Sequence, residues 1–140
     1  MRRYDVLCWS GLLVFTLAAT AGHGQEKDAK KEGIAGVMQR KLAHAQKVLE
    51  GVAVNDFDKV VSNAEDLIRA SREAGWMVLT TPRYELYSNE FRRSAESLVK
   101  YGREKNTDGS ALAYVELTLT CVKCHKYVRE ERMARRNNPE

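Results

Sequence analysis

Two cysteines stand two residues apart in the stretch CVKCH, Cys121 to His125, and a histidine follows the second at once. Three chemistries use such a pair. A redox dithiol sits where a strand feeds a helix in a βαβ setting, and the chain offers no such setting. A structural zinc site needs four ligands, yet the chain has no second Cys-x-x-Cys and only His23 and His44 besides His125. Covalent haem attachment is what Cys-x-x-Cys-His signals. The two thiols add across the haem vinyl groups as thioethers. On a helix Cys121 and Cys124 are i and i+3, so both face one porphyrin edge. His125 comes next, and its imidazole can reach the iron from the proximal side. The pattern therefore predicts one covalent haem c, bound through Cys121 and Cys124, with His125 as an iron ligand.

The amino end says where such chemistry would take place. Arg2 and Arg3 precede the apolar run VLCWSGLLVFTLAA, and small residues at Ala19 and Ala21 follow in the arrangement a signal peptidase accepts. The run is short for a bilayer span, which takes about 20 residues. The expectation is a signal peptide over 1–21, cleaved after Ala21, and a periplasmic or otherwise exported protein with no membrane span. Cleavage removes Cys8 and leaves Cys121 and Cys124 as the mature chain's two cysteines, with no spare thiol. It also removes Arg2, Arg3 and Asp5, so 23 basic and 19 acidic residues become 21 and 18. A net charge that modest argues against nucleic acid as the partner. The basic residues gather late, in KYVREERMARRNN. There they make either a solvated helix end or a rim for an acidic redox partner, acting mainly on encounter rate.

The elements that must position the motif are helical. Residues 22–33 are charged, glycine-rich and aperiodic, and read as a flexible leader. Four helices follow in a domain over 34–132, with a charged tail over 133–140. In the first, Met38, Leu42, Ala45, Leu49 and Val52 share a face, and Gly51 marks its end. The second starts at Asn55 or Asp56 and buries Phe57, Val60, Val61, Ala64, Leu67 and Ile68. An apolar, aperiodic connection with Gly75 leads to the third, which starts near Pro82 or Ser88. Its stripe is Tyr84, Tyr87, Phe91, Ala95, Leu98 and Tyr101. Asn106-Thr107-Asp108-Gly109 reads as a loop. The fourth carries Tyr114, Leu117, Cys121, Cys124 or His125, and Val128 on one face; Thr118 and Thr120 hint at strand, but the helical period overrides them. Short connections make neighbours antiparallel. The expected fold is all-α, an up-down-up-down four-helix bundle holding the covalent haem.

One Cys-x-x-Cys-His near the carboxyl end, in the last helix of an exported four-helix bundle, resembles the class II c-type cytochromes, cytochrome c prime and its low-spin relatives. The resemblance covers residues 34 to 130. It implies that the sixth iron position decides function. In the low-spin branch a first-helix methionine binds the iron, and Met38 is the candidate here; a thioether stabilises ferrous iron and suits an electron carrier. In the high-spin branch the iron is five-coordinate. The leading expectation is a periplasmic one-electron carrier rather than an enzyme, since no distal acid–base histidine stands out. The alternative is a five-coordinate haem protein that binds or senses NO or CO. His44 is read as an exposed histidine off the main stripe. Met77 lies in the connection and Met133 in the charged tail. Trp76 and Tyr84 are core or haem walls; Lys126, Arg129, Arg40 and Lys41 are surface groups that could pair with haem propionates. Family members are often dimers, and the apolar first-helix surface could support a homodimer.

Overall fold

In the computed structural model the described residues, 33–138, form four α-helices and one short 3₁₀ turn, with no strand among them. The helices are α1 (Ile34–Val54), α2 (Phe57–Ala70), α3 (Pro82–Arg103) and α4 (Thr107–Asn137). The signal expected over 1–21 and, but for Gly33, the leader expected over 22–33 lie outside the described residues. Successive helices pack as neighbours, α1 on α2, α2 on α3 and α3 on α4, while α1 and α4 close the ring through a much thinner contact. That is the antiparallel four-helix bundle read from the periodicity. None of the described helices is long and apolar enough to cross a membrane.

Local chemistry sets the boundaries. Asp56 caps α2, its carboxylate accepting from Lys59 N at 3.0 Å. Thr81 caps α3 by accepting from Tyr84 N at 3.2 Å, with Pro82 in the first turn where its missing N–H costs nothing. Asn106 caps α4 by accepting from Gly109 N at 2.8 Å. The loop expected over Asn106–Gly109 is therefore shorter, because Thr107, Asp108 and Gly109 already form the first turn of α4. Gly109 serves packing there: a Cβ on it would stand 2.7 Å from the Tyr101 ring. α4 also runs on as helix through Asn137, with Arg135 and Arg136 in a last turn whose carbonyls favour positive charge.

Gly51 does not end α1. The helix continues to Val54, and Asn55 ends it in the left-handed conformation at φ 58°. A Cβ on Gly51 would meet Asp56 O and Val60 Cγ2 at 2.9 Å each, and two of its three closest neighbours are backbone atoms that cannot swing away. Gly51→Ala should thus destabilise the protein, although alanine is better than glycine inside a helix by about 1 kcal/mol. A urea midpoint above that of the wild type would show that the α1–α2 crossing has slack.

The core runs through Val48, Val60, Ala64, Leu67, Phe91, Ala95, Leu98 and Leu117, and Trp76 folds over one end of it. Of the stripes read for α2 and α3, Val60, Ala64, Leu67, Tyr84, Phe91, Ala95 and Leu98 are buried, while Phe57, Val61, Ile68, Tyr87 and Tyr101 are half-buried at their edges. On α4 the buried line is Ala113, Leu117, Thr120 and Tyr127, leaving Tyr114, Cys121, Cys124 and Val128 half-buried at its edge. On α1 the expected stripe is turned outward. Val37, Lys41, Val48 and Gly51 face the core, while Leu42 is 60% and Leu49 49% exposed, and Met38, Ala45 and Val52 are half-buried. Of that stripe, Met38 lines the cleft that the thin α1–α4 contact leaves.

Candidate functional site

The gap between the amino end of α1 and the carboxyl half of α4 is a cleft of about 200 Å³. Cys124, His125, Val128, Arg129 and Arg132 enter it from α4; Ile34, Met38 and Lys41 from α1; Trp76, Val78 and Tyr84 from the connection and the start of α3. Its surface is mostly apolar, with Lys41 from α1 and Arg129 and Arg132 from α4 as cationic groups. The floor is fixed by side chains that bind each other. Trp76 Nε1 donates to Ser88 Oγ at 3.0 Å, and the Tyr84 hydroxyl donates to the Trp76 carbonyl. Thr81 Oγ1 and the Tyr127 hydroxyl, 2.7 Å apart, tie the start of α3 to α4.

Four residues were singled out from the sequence, and the structure brings three of them, Cys124, His125 and Met38, to this one cleft. Cys121 lies one turn earlier on α4, half-buried against the core and beside Tyr114, on the same helical edge. The two thiols are free. Burial pushes the Cys124 thiol up, an effect only partly offset by the positive charge of Lys41, and the neighbouring Cys121 adds to the rise. A thiol held in its protonated form is the opposite of the activated thiolate a redox dithiol uses. Among the described residues no cluster of three or more His, Cys, Asp and Glu side chains is placed to hold a bare metal ion, and Cys121, Cys124 and His125 do not themselves form one.

His125 is exposed on its outer side, but its ring borders the cleft. Partial desolvation there lowers its pKa, and the charges of Lys41 and Arg129 lower it further. The neutral imidazole, the form that ligates a metal, is favoured as a result. The sign for stability follows. An unfolded histidine takes up its proton near pH 6.5, and the folded one does so only at lower pH. Between those values the unfolded chain binds more protons, so stability falls as pH drops through that window. Made without haem, the wild-type protein should lose more of its urea resistance between about pH 7 and about pH 5 than His125→Gln does. Equal losses in the two proteins would remove His125 as the source.

Other expected residues fall outside the cleft. His44 is not exposed: its Nδ1 lies 3.0 Å from Asn63 Oδ1 and 3.4 Å from Asp66 Oδ2, half-buried between α1 and α2. Arg40 is paired with Glu73. Lys126 is on the outer surface, with Glu130 at 3.9 Å. Met77 and Met133 are exposed away from the cleft. Lys41 departs furthest from expectation. Read as surface, it is buried, with its ammonium over the rings of Trp76 and Phe91. Its spacing to Val37 and Val48 was the sequence signal, four and seven residues along one helical face. Arg132, Ile34 and Val78 carried no chemical signal of their own and join the cleft only through folding. No protein-family model, curated protein or solved structure matches this chain.

Proposed function

We propose that this protein is an exported c-type cytochrome of the class II kind, carrying one covalent haem and passing single electrons to and from partner proteins in the periplasm. The observation that carries the reading is the meeting of Cys124, His125 and Met38 on one apolar cleft, with Cys121 one turn away on the same edge of α4.

The residues fit the group. Two soft thiols stand on one helical edge for the thioethers, and an imidazole kept neutral follows directly. Met38 offers a thioether from the opposite helix. Val78, Val128, Trp76 and Tyr84 supply flat, water-excluding walls. The iron, once bound, supplies the chemistry by alternating between ferric and ferrous states. The chain's own part would be to offer the His125 imidazole and the Met38 thioether as ligands from the walls of the cleft, and to keep solvent away. A bundle whose walls are locked by the Trp76–Ser88 and Thr81–Tyr127 hydrogen bonds changes little between states. Arg129 and Arg132 at the cleft, with Arg135 and Arg136 further along α4, give the site a basic margin on which an acidic partner would dock.

The test is the absorption spectrum of the purified holoprotein, oxidised and dithionite-reduced, with and without CO. A low-spin spectrum with sharp reduced bands, indifferent to CO, is the expected result. Met38→Ala should then become high-spin and CO-reactive. A wild-type protein that is high-spin and shifts with CO would move the assignment to the gas-binding alternative. A mature protein without covalent haem, made in a host competent to attach it, would end both.

A further inference from the structure

Lys41 is the only lysine, arginine, aspartate or glutamate that is buried among the described residues, with 6% of it exposed. Its ammonium lies 4.6 Å from the centre of the Trp76 ring and 4.4 Å from that of Phe91. Among the described residues no carboxylate stands within ion-pair distance of it. Two ring faces return only part of the hydration a buried ammonium gives up. A methionine or leucine would fill the same space without that cost. The ammonium is also not sealed off: Lys41 lines the cleft together with Cys124 and His125, and Arg129 and Arg132 line it from α4. A buried cation with no carboxylate partner among the described residues, opening on a cleft with two further cations, is suited to an anion that arrives from outside them.

We propose that Lys41 is the inner anchor of an anion subsite in the α1–α4 cleft, taking a carboxylate or a small monovalent anion. Two sources share that chemistry: a propionate of the haem seated in the same cleft, or a free anion entering beside it. The first source rests on the haem reading, and the second does not. Met38 and Lys41 then divide the work on α1, the thioether directed at the metal and the ammonium at negative charge. Lys41 is a positioning residue in this scheme.

The test uses the ferric holoprotein and its Lys41→Met and Lys41→Arg variants, with Lys41→Gln replacing Lys41→Met if the latter does not fold by circular dichroism. The probes are the propionate bending band in resonance Raman and a titration with azide followed by absorbance. A band that moves in Lys41→Met and returns in Lys41→Arg identifies the haem carboxylate as the partner. A band that stays, with azide affinity about tenfold or more weaker in Lys41→Met and near wild type in Lys41→Arg, identifies a free anion. If neither readout moves, the subsite is overturned. Should the wild type carry no haem, the haem reading fails separately. Trp76 is then the sole tryptophan of a chain lacking 1–21, and it becomes the probe. A saturable change in its emission with formate, present in wild type and Lys41→Arg and absent in Lys41→Met, supports the subsite; no saturable change in wild type overturns it.

Discussion

On the proposed haem c reading, alanine at both Cys121 and Cys124 should remove covalent haem: on a denaturing gel the haem stain should fall from full intensity to background. A thioether survives denaturation and a coordination bond does not, so the readout isolates the role of the two sulfurs. The fold should tolerate the change. Both side chains are only half-buried, and neither takes part in a hydrogen bond or disulfide that holds α4. Their loss should cost about 1 kcal/mol, the ordinary cost of a substitution away from the core centre. Helical content and the urea midpoint of the haem-free protein therefore serve as controls. Single variants add detail. Cys124 borders the cleft and Cys121 the adjoining turn, so each alone should leave one thioether and a weakened but visible stain. His125→Ala acts differently, since it leaves both sulfurs in place and takes away the imidazole. Haem should stay attached while the low-spin spectrum is lost. Wild-type stain in the double variant would refute attachment at CVKCH. A double variant that loses its helical signal would instead make these cysteines structural.

Phe91→Ala is expected to give the largest loss of stability, about 3–5 kcal/mol, the usual cost of emptying a buried aromatic site. Phe91 sits fully inside the bundle, with its ring 4.9 Å from that of Trp76 at an interplanar angle of 43°. It also forms one of the two π faces under the Lys41 ammonium, at 4.4 Å. Truncation therefore opens a cavity, removes a tilted ring pair worth about 0.5–1.5 kcal/mol and takes away half of the cover over a buried charge. Against a total stability of about 5–15 kcal/mol that is a large share. Urea unfolding of wild type, Phe91→Leu and Phe91→Ala under one set of conditions measures it. Phe91→Leu should lose much less, because it keeps most of the volume. A loss below about 1 kcal/mol for Phe91→Ala would mean that the core can collapse around the gap, and that Lys41 does not depend on this ring.

The two predictions draw on different levels of the molecule. The cysteine experiment could be written from five consecutive residues. CVKCH fixes the order and spacing of its donors along one helix, and no partner from elsewhere is needed to put two thiols on one edge. The stripes of α2 and α3 were legible for a related reason: each helix has a single apolar face, and Tyr84, Phe91, Ala95 and Leu98 have no competing arrangement. The caps at Asp56 and Thr81 follow equally from local hydrogen bonding. The loop read at Asn106–Gly109 failed by one turn, because turn-forming residues are also the residues that cap and start a helix.

The sequence by itself thus determined the bundle, its helix order and the spacing of Cys121, Cys124 and His125 along α4. Tertiary structure alone decided how α1 is rotated. That helix carries two overlapping faces one residue apart, Val37-Lys41-Val48-Gly51 and Met38-Leu42-Ala45-Leu49-Val52. Composition favours the second, which is wholly apolar. Folding buries the first, because Gly51 admits the Asp56 and Val60 backbone at close range and because Trp76 and Phe91, from other elements, offer π faces to the Lys41 ammonium. Neither condition is written in the periodicity of α1. The same rotation leaves Met38 and Lys41 together in the lining of the cleft that His125 also borders.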